Sequence, residues 1–120
     1  MPKAQPINPE LLTAVRSLRK KARESNAPIW RDVADSLQVS KRRRTAVNLS
    51  RLNRHTKAKE TVIVPGKVLG SGTLEHPLSV AAFSFSTRAR VKINKAKGKC
   101  LSIPDLLEAN PQGSNVKIIG

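Results

Sequence analysis

Positive charge is the first constraint on this chain. Its 120 residues hold 23 lysines and arginines against 8 acids, a formal net charge of +15. A small domain that folded without a partner would carry that self-repulsion into its native state, so the charge argues for a polyanion that neutralises it. Nucleic acid fits best; an anionic membrane surface and an acidic protein fit less well. The excess is uneven: residues 1–60 carry 15 cations and 5 acids, residues 61–120 carry 8 and 3. The first half is therefore the expected main binding face.

The apolar content, 38%, suffices for a modest core and is too high for a disordered tail. No apolar run approaches the ~20 residues of a membrane span. The segment Met1-Pro2-Lys3-Ala4-Gln5-Pro6 has no apolar stretch of the kind a secretory signal needs. Cys100, the single cysteine, excludes a disulfide framework and suits a reducing interior.

Without repeats or a long linker, the chain reads as one domain over residues 1–120: an extended arm (1–7), a helical part (8–40) and a basic α+β core (41–120). Asn8 caps a first helix with Pro9 at its first position and Glu10 at its positive end. Leu11, Val15, Leu18 and Ala22 form its apolar stripe. Arg16, Lys20 and Arg23 repeat on a flanking face beside Arg19. From Pro28, Trp30, Val33, Ala34 and Leu37 form a second buried stripe, with Asp32, Asp35 and Ser36 outward. Residues 47–54 are ambiguous between strand and helix, and strand is the expectation. Val62-Ile63-Val64 reads as a short strand stopped by the turn signal Pro65-Gly66. A strand carries Leu78, Val80 and Ala82 into Phe83. Ser86 caps a helix over 87–97, closed by Gly98. Phe85, Ala89, Ile93 and Ala96 face in; Arg88, Lys92, Lys95 and Lys99 face out. Cys100-Leu101 is a short strand, and Ser102 with Asp105 caps a helix over 104–109. Residues 116–119 form a last strand. The strands look too few and too short for a doubly wound sheet, so an antiparallel or irregular α+β core is expected.

The run Lys41-Arg42-Arg43-Arg44 is the sharpest local feature. Four adjacent cations outnumber any local acids, and guanidinium matches phosphate bidentately; the bland reading is a solvated turn or a targeting address. Arg51, Arg54, His55, Lys57 and Lys59 extend the segment, with Asn48, Ser50 and Asn53 interspersed as polar donors. The Arg88/Lys92/Lys95/Lys99 row is equally well a wet helix face. Trp30, Phe83 and Phe85 read as core rather than as base-stacking platforms. With no tyrosine, a stacking module of the RNA-recognition-motif or OB type is disfavoured. His55, His76 and Cys100 make no metal set. The stretch Gly66-Lys67 to Gly72 fails the Walker pattern, since Thr61 replaces its first glycine. It also fails the dinucleotide fingerprint, where Glu75 stands at the third glycine. No catalysis, cofactor or small-molecule substrate is expected. A helix–turn–helix DNA reader is disfavoured because the second helix is the more acidic one.

Several phrases occur together and in order: Asn8-Pro9 with Leu11-Leu12, Trp30-Arg31-Asp32-Val33-Ala34, the stretch from Arg44 through Val47-Asn48-Leu49-Ser50-Arg51-Leu52-Asn53-Arg54, Val62-Ile63-Val64-Pro65-Gly66-Lys67-Val68-Leu69-Gly70-Ser71-Gly72, Val80-Ala81-Ala82-Phe83-Ser84-Phe85-Ser86, and Asn110-Pro111-Gln112-Gly113 before Val116-Lys117-Ile118-Ile119. Over residues 8–120 the chain closely resembles the archaeal and eukaryotic large-subunit ribosomal protein eighteen family, and its length is similar to archaeal members. The resemblance implies the irregular β-β-α fold shared with large-subunit ribosomal protein fifteen. It implies a structural, non-catalytic role in the cytoplasmic ribosome, beside large-subunit ribosomal RNA and neighbouring proteins. The expected RNA contacts are Arg16, Arg19, Lys20 and Arg23, then Lys41, Arg42, Arg43 and Arg44, then Arg51, Arg54, His55, Lys57 and Lys59, with Lys67. A stand-alone basic DNA-binding protein is the competing reading. One departure is local: relatives often close the third long helix with an Ala-Gly-Gly-like turn, where this chain has Ala96-Lys97-Gly98.

Overall fold

A computed structural model describes residues 9–38 and 45–119. The elements run α1 (Pro9–Glu24), α2 (Pro28–Leu37), β1 (Thr45–Asn48), α3 (Leu49–His55), β2 (Thr61–Leu69), β3 (Ser79–Phe85), α4 (Thr87–Lys95), β4 (Lys99–Ser102), α5 (Ile103–Ala109) and β5 (Val116–Ile118). The class is α+β. The expected arm, the Asn8 cap and the run Lys41-Arg42-Arg43-Arg44 lie outside the described residues.

The strands pair in the order β1-β2-β3-β4, and β5 also joins β2. Every pairing is parallel, so of the two arrangements expected above, antiparallel or irregular, the antiparallel one is not found. The reason lies in the connections. Strands joined by helices or long loops return in the same direction, and α3, the 70–78 loop, α4 and α5 each supply such a crossover.

Strand β2 also runs through Pro65-Gly66 instead of stopping there. β5 pairs with Thr61, Val62 and Ile63, whereas β1 begins its pairing at Gly66. The two strands share one edge of β2 end to end. Pro65, which has no N–H to donate, sits in the gap between them, where the register with β3 also shifts between Val64 and Lys67. The turn signal became a bulge.

Alternate strand residues point to opposite faces. Ile63 and Ala81 meet α1, α2 and α5 in one buried cluster around Trp30. Val62, Val64, Val80 and Ala82 meet α3 and α4 in another. The ambiguous 47–54 segment is both things in turn. Val47 joins the sheet, and Leu49 and Leu52, three apart, seat α3 on the second cluster.

Helix caps follow the sequence. Ser86 Oγ accepts from the Ala89 N–H and Ser102 Oγ from the Asp105 N–H. Helix α4 ends two residues earlier than expected, at Lys95 with Ala96 as its C-cap. The Gly98 N–H donates to Ile93 O and the Lys97 N–H to Asn94 O, and Lys97 takes the left-handed conformation with φ 64°, where glycine is the usual residue. Gly98 is needed for another reason: a Cβ there would lie 2.4 Å from the Leu78 carbonyl oxygen.

Candidate nucleic-acid interface

With Leu49 and Leu52 fully buried, the short helix α3 turns Arg51, Arg54 and His55 to solvent. The chain after it is held by local bonds. Thr56 Oγ1 donates to Leu52 O at 2.6 Å and lies 2.7 Å from His76 Nε2. The hydroxyl has one proton, so His76 Nε2 is the donor in that pair. Lys57 offers its backbone N–H to the Glu60 carboxylate. That bond holds the Glu60 carboxyl below its ordinary pKa, with desolvation opposing it and the Lys117 charge aiding it. Lys117 Nζ is 3.6 Å from Glu60 and donates to His55 O at 3.1 Å. Arg51, His55 and Lys117 thereby line a shallow depression of about 310 Å³ floored by Ile118 and Ile119.

A second segment brackets α3. The Ser50 N–H donates to Ser71 O, and the Glu75 N–H donates to Asn53 Oδ1 at 2.9 Å. Gly72 has φ +87°, and a Cβ there would lie 2.6 Å from Ser50 Cβ. Lys92, expected on a wet row, reaches inward: its Nζ donates to Gly70 O at 2.8 Å and Gly72 O at 2.6 Å. The stem of Arg88 covers Gly70 so closely that a Cβ there would meet Arg88 Cγ at 2.6 Å. Arg88, Lys95 and Lys99 stay exposed. Arg90 stacks 5.0 Å from the Phe85 ring centroid, and burial raises the Cys100 thiol pKa, with Arg90 opposing.

The anticipated contact residues fall on two surfaces. Arg51, Arg54, His55, Lys57 and Lys59 come together around α3. Arg16, Lys20 and Arg23 are exposed on α1, whose buried residues face the other side of the sheet. Arg19 is engaged within the fold, donating to Asp35 at 2.9 Å and also to Gln38. Lys67 is exposed between Ala46 and Ser84 on neighbouring strands. Lys41, Arg42, Arg43 and Arg44 lie outside the described residues. Lys117 and Arg90 were missed, because isolated cations in a strand and between two rows give no local signal.

Charge is unevenly divided among the elements. Helices α1, α2 and α5 set Arg16, Arg19, Lys20, Lys21, Arg23 and Arg31 against an equal number of acids: Glu10, Glu24, Asp32, Asp35, Asp105 and Glu108. The remaining described residues hold twelve cations and only Glu60 and Glu75. The net positive charge of the described residues therefore belongs to the segments outside α1, α2 and α5. Trp30 is no stacking platform: it is fully buried, and its Nε1 donates to Pro111 O at 2.8 Å. Among the described residues there is no His/Cys/Asp/Glu group able to hold a metal and no helix long and apolar enough to cross a membrane.

Comparison with known proteins identifies the family. The family described as "Ribosomal protein 60S L18 and 50S L18e" matches residues 1–120. Relatives named large ribosomal subunit protein eL18 include one from Methanothermobacter thermautotrophicus, 52% identical over 93% of this chain and 93% of its own length. One from Methanopyrus kandleri is 50% identical over 95% and 94%, and one from Archaeoglobus fulgidus is 43% identical over 93% and 96%. On the full-length match and these identities, the chain belongs to the L18/L18e family of ribosomal proteins.

Proposed function

We propose that the chain is a structural constituent of the large ribosomal subunit in the cytoplasm, binding large-subunit ribosomal RNA through phosphate contacts and packing beside other large-subunit proteins. Its family is one of ribosomal structural proteins, not enzymes. The observation that carries the RNA reading is the charge division: twelve cations against two acids among the described residues outside α1, α2 and α5. Such a surface gains affinity by releasing condensed counterions from a polyanion. Arg51, Arg54, His55, Lys57 and Lys59 are its centre, and Lys41, Arg42, Arg43 and Arg44 precede it directly in sequence. Arg16, Lys20, Arg23, Arg19 and Lys67 complete the proposed contacts.

Sedimentation of a tagged chain expressed in an archaeal host tests the role. The chain should co-migrate with large subunits. Migration with chromosomal DNA, or as free protein only, would refute it.

A further inference from the structure

Resting on the RNA-binding reading above, we propose that Lys117 is a positioning residue of the α3 surface: it neutralises Glu60 and fixes the end of α3, so that the cations around it meet phosphate with no uncovered carboxylate in their midst.

Strand alternation aims Lys117 there. Val116 packs on the cluster beneath α1 and α2, and Ile119 is buried in the cluster beneath α3 and α4. Lys117, in phase with Ile119, therefore points to the α3 side. The strand itself is held: Lys117 pairs with Val62, and the Ile119 N–H donates to Ile63 O. From that place one ammonium closes a ring of local bonds. Its Nζ donates to the carbonyl oxygen of His55, the last residue of α3, where a helix end leaves carbonyls without a helical partner. It also lies 3.6 Å from Glu60 Oε2, while the other carboxylate oxygen accepts the Lys57 N–H. Both ends of the 55–60 connection are thus tied to a single side chain.

Glu60 is what makes this matter for RNA. It follows Lys59 directly and is bonded to the backbone of Lys57, inside the proposed contact segment. Uncovered, its charge would oppose any phosphate brought within the roughly 8 Å over which exposed charges act at physiological salt. Beside Lys117 it is compensated. Neither bond requires Lys117 to touch RNA.

The test is a double-mutant cycle on the full chain, read as affinity for a fluorescein-labelled short RNA hairpin at physiological salt. Glu60→Gln keeps an acceptor for the Lys57 N–H. Alone it should change affinity by less than about threefold, because its charge is already covered. Lys117→Met should weaken binding by about tenfold. Glu60→Gln/Lys117→Met should recover most of that loss. A merely structural role would not give this rescue, and circular dichroism checks that each variant folds. If Lys117 contacted phosphate itself, the two effects would multiply independently, with Lys117→Met costing the same factor in either background. That result, or an unchanged affinity on Lys117→Met, would overturn the inference while the RNA-binding reading stands. Failure of the unaltered chain to bind the hairpin would overturn both.

Discussion

Lys92 donates from Nζ to the carbonyl oxygen of Gly70, 2.8 Å away, and so ties α4 to the loop that brackets α3. The second bond, to Gly72, makes one ammonium the staple of the whole 70–72 turn. Charge-assisted bonds of this kind are worth about 1.5–3 kcal/mol each where they are shielded, and less at the surface. Lys92→Met keeps the stem and removes the donor. It should cost about 1–2 kcal/mol in urea unfolding and speed amide exchange across residues 71–74. Unchanged exchange would show that the turn holds its shape without the staple.

Trp30 is fully buried and tied to Pro111, which docks the 110–115 turn against α2. Trp30→Ala should cost about 3–5 kcal/mol. Trp30→Phe, which keeps much of the bulk and loses the N–H, isolates the hydrogen bond at about 1 kcal/mol plus a small packing loss. Wild-type fluorescence should be blue-shifted and resist iodide. Ready quenching in the folded protein would contradict the burial.

Lys97 holds a left-handed φ of 64° at the end of α4, a conformation that costs a non-glycine residue about 1 kcal/mol or more. Lys97→Gly should raise the urea midpoint by the equivalent of about 1 kcal/mol with an unchanged slope. Lys97→Ala removes the same charge and keeps the strain, so it should gain much less. Equal gains from both would assign the effect to charge.

The phosphate contacts have a salt signature. For irregular RNA the slope of log K against log salt is about −0.7 per phosphate neutralised. Arg42→Ala/Arg43→Ala/Arg44→Ala should flatten the slope by roughly two units, and Arg51→Ala/Arg54→Ala/Lys57→Ala should do likewise. Arg88→Ala/Lys95→Ala/Lys99→Ala removes the same charge and should do less; Lys92 is spared because it anchors the turn. Equal slopes from all three would mean diffuse attraction by the entire basic surface.

What the sequence made legible was local. The Trp30 stripe, the Ser86 and Ser102 caps and the start of α1 at Pro9 each depend on residues within one or two turns. What it hid was set by partners far away in sequence. Pro65-Gly66 reads as a turn until β1 and β5 are seen to leave a gap opposite the proline. Residues 47–54 look ambiguous because Val47 answers to the sheet and Leu52 to a helix. Lys92 looks like one of a row, since its acceptors are the backbone carbonyls of Gly70 and Gly72, which have no side-chain signature. The proposed contact residues read as one list along the chain, and only the alternation of Ile63 with Val62 across the sheet divides them between two faces.

The shared edge of β2 also bears on how the chain is made. Synthesis delivers β1 before β2, but β5 comes last in the chain. From the time β2 emerges, Thr61, Val62 and Ile63 wait for residues 116–118 with one side of their backbone unpaired. At about 5–20 residues per second that wait is roughly 3–10 s, during which a β-branched edge is open to a neighbouring nascent chain. Pro65 limits the hazard, because a strand pairing past Val64 would find no N–H there, and β1 already occupies the edge from Gly66 onward.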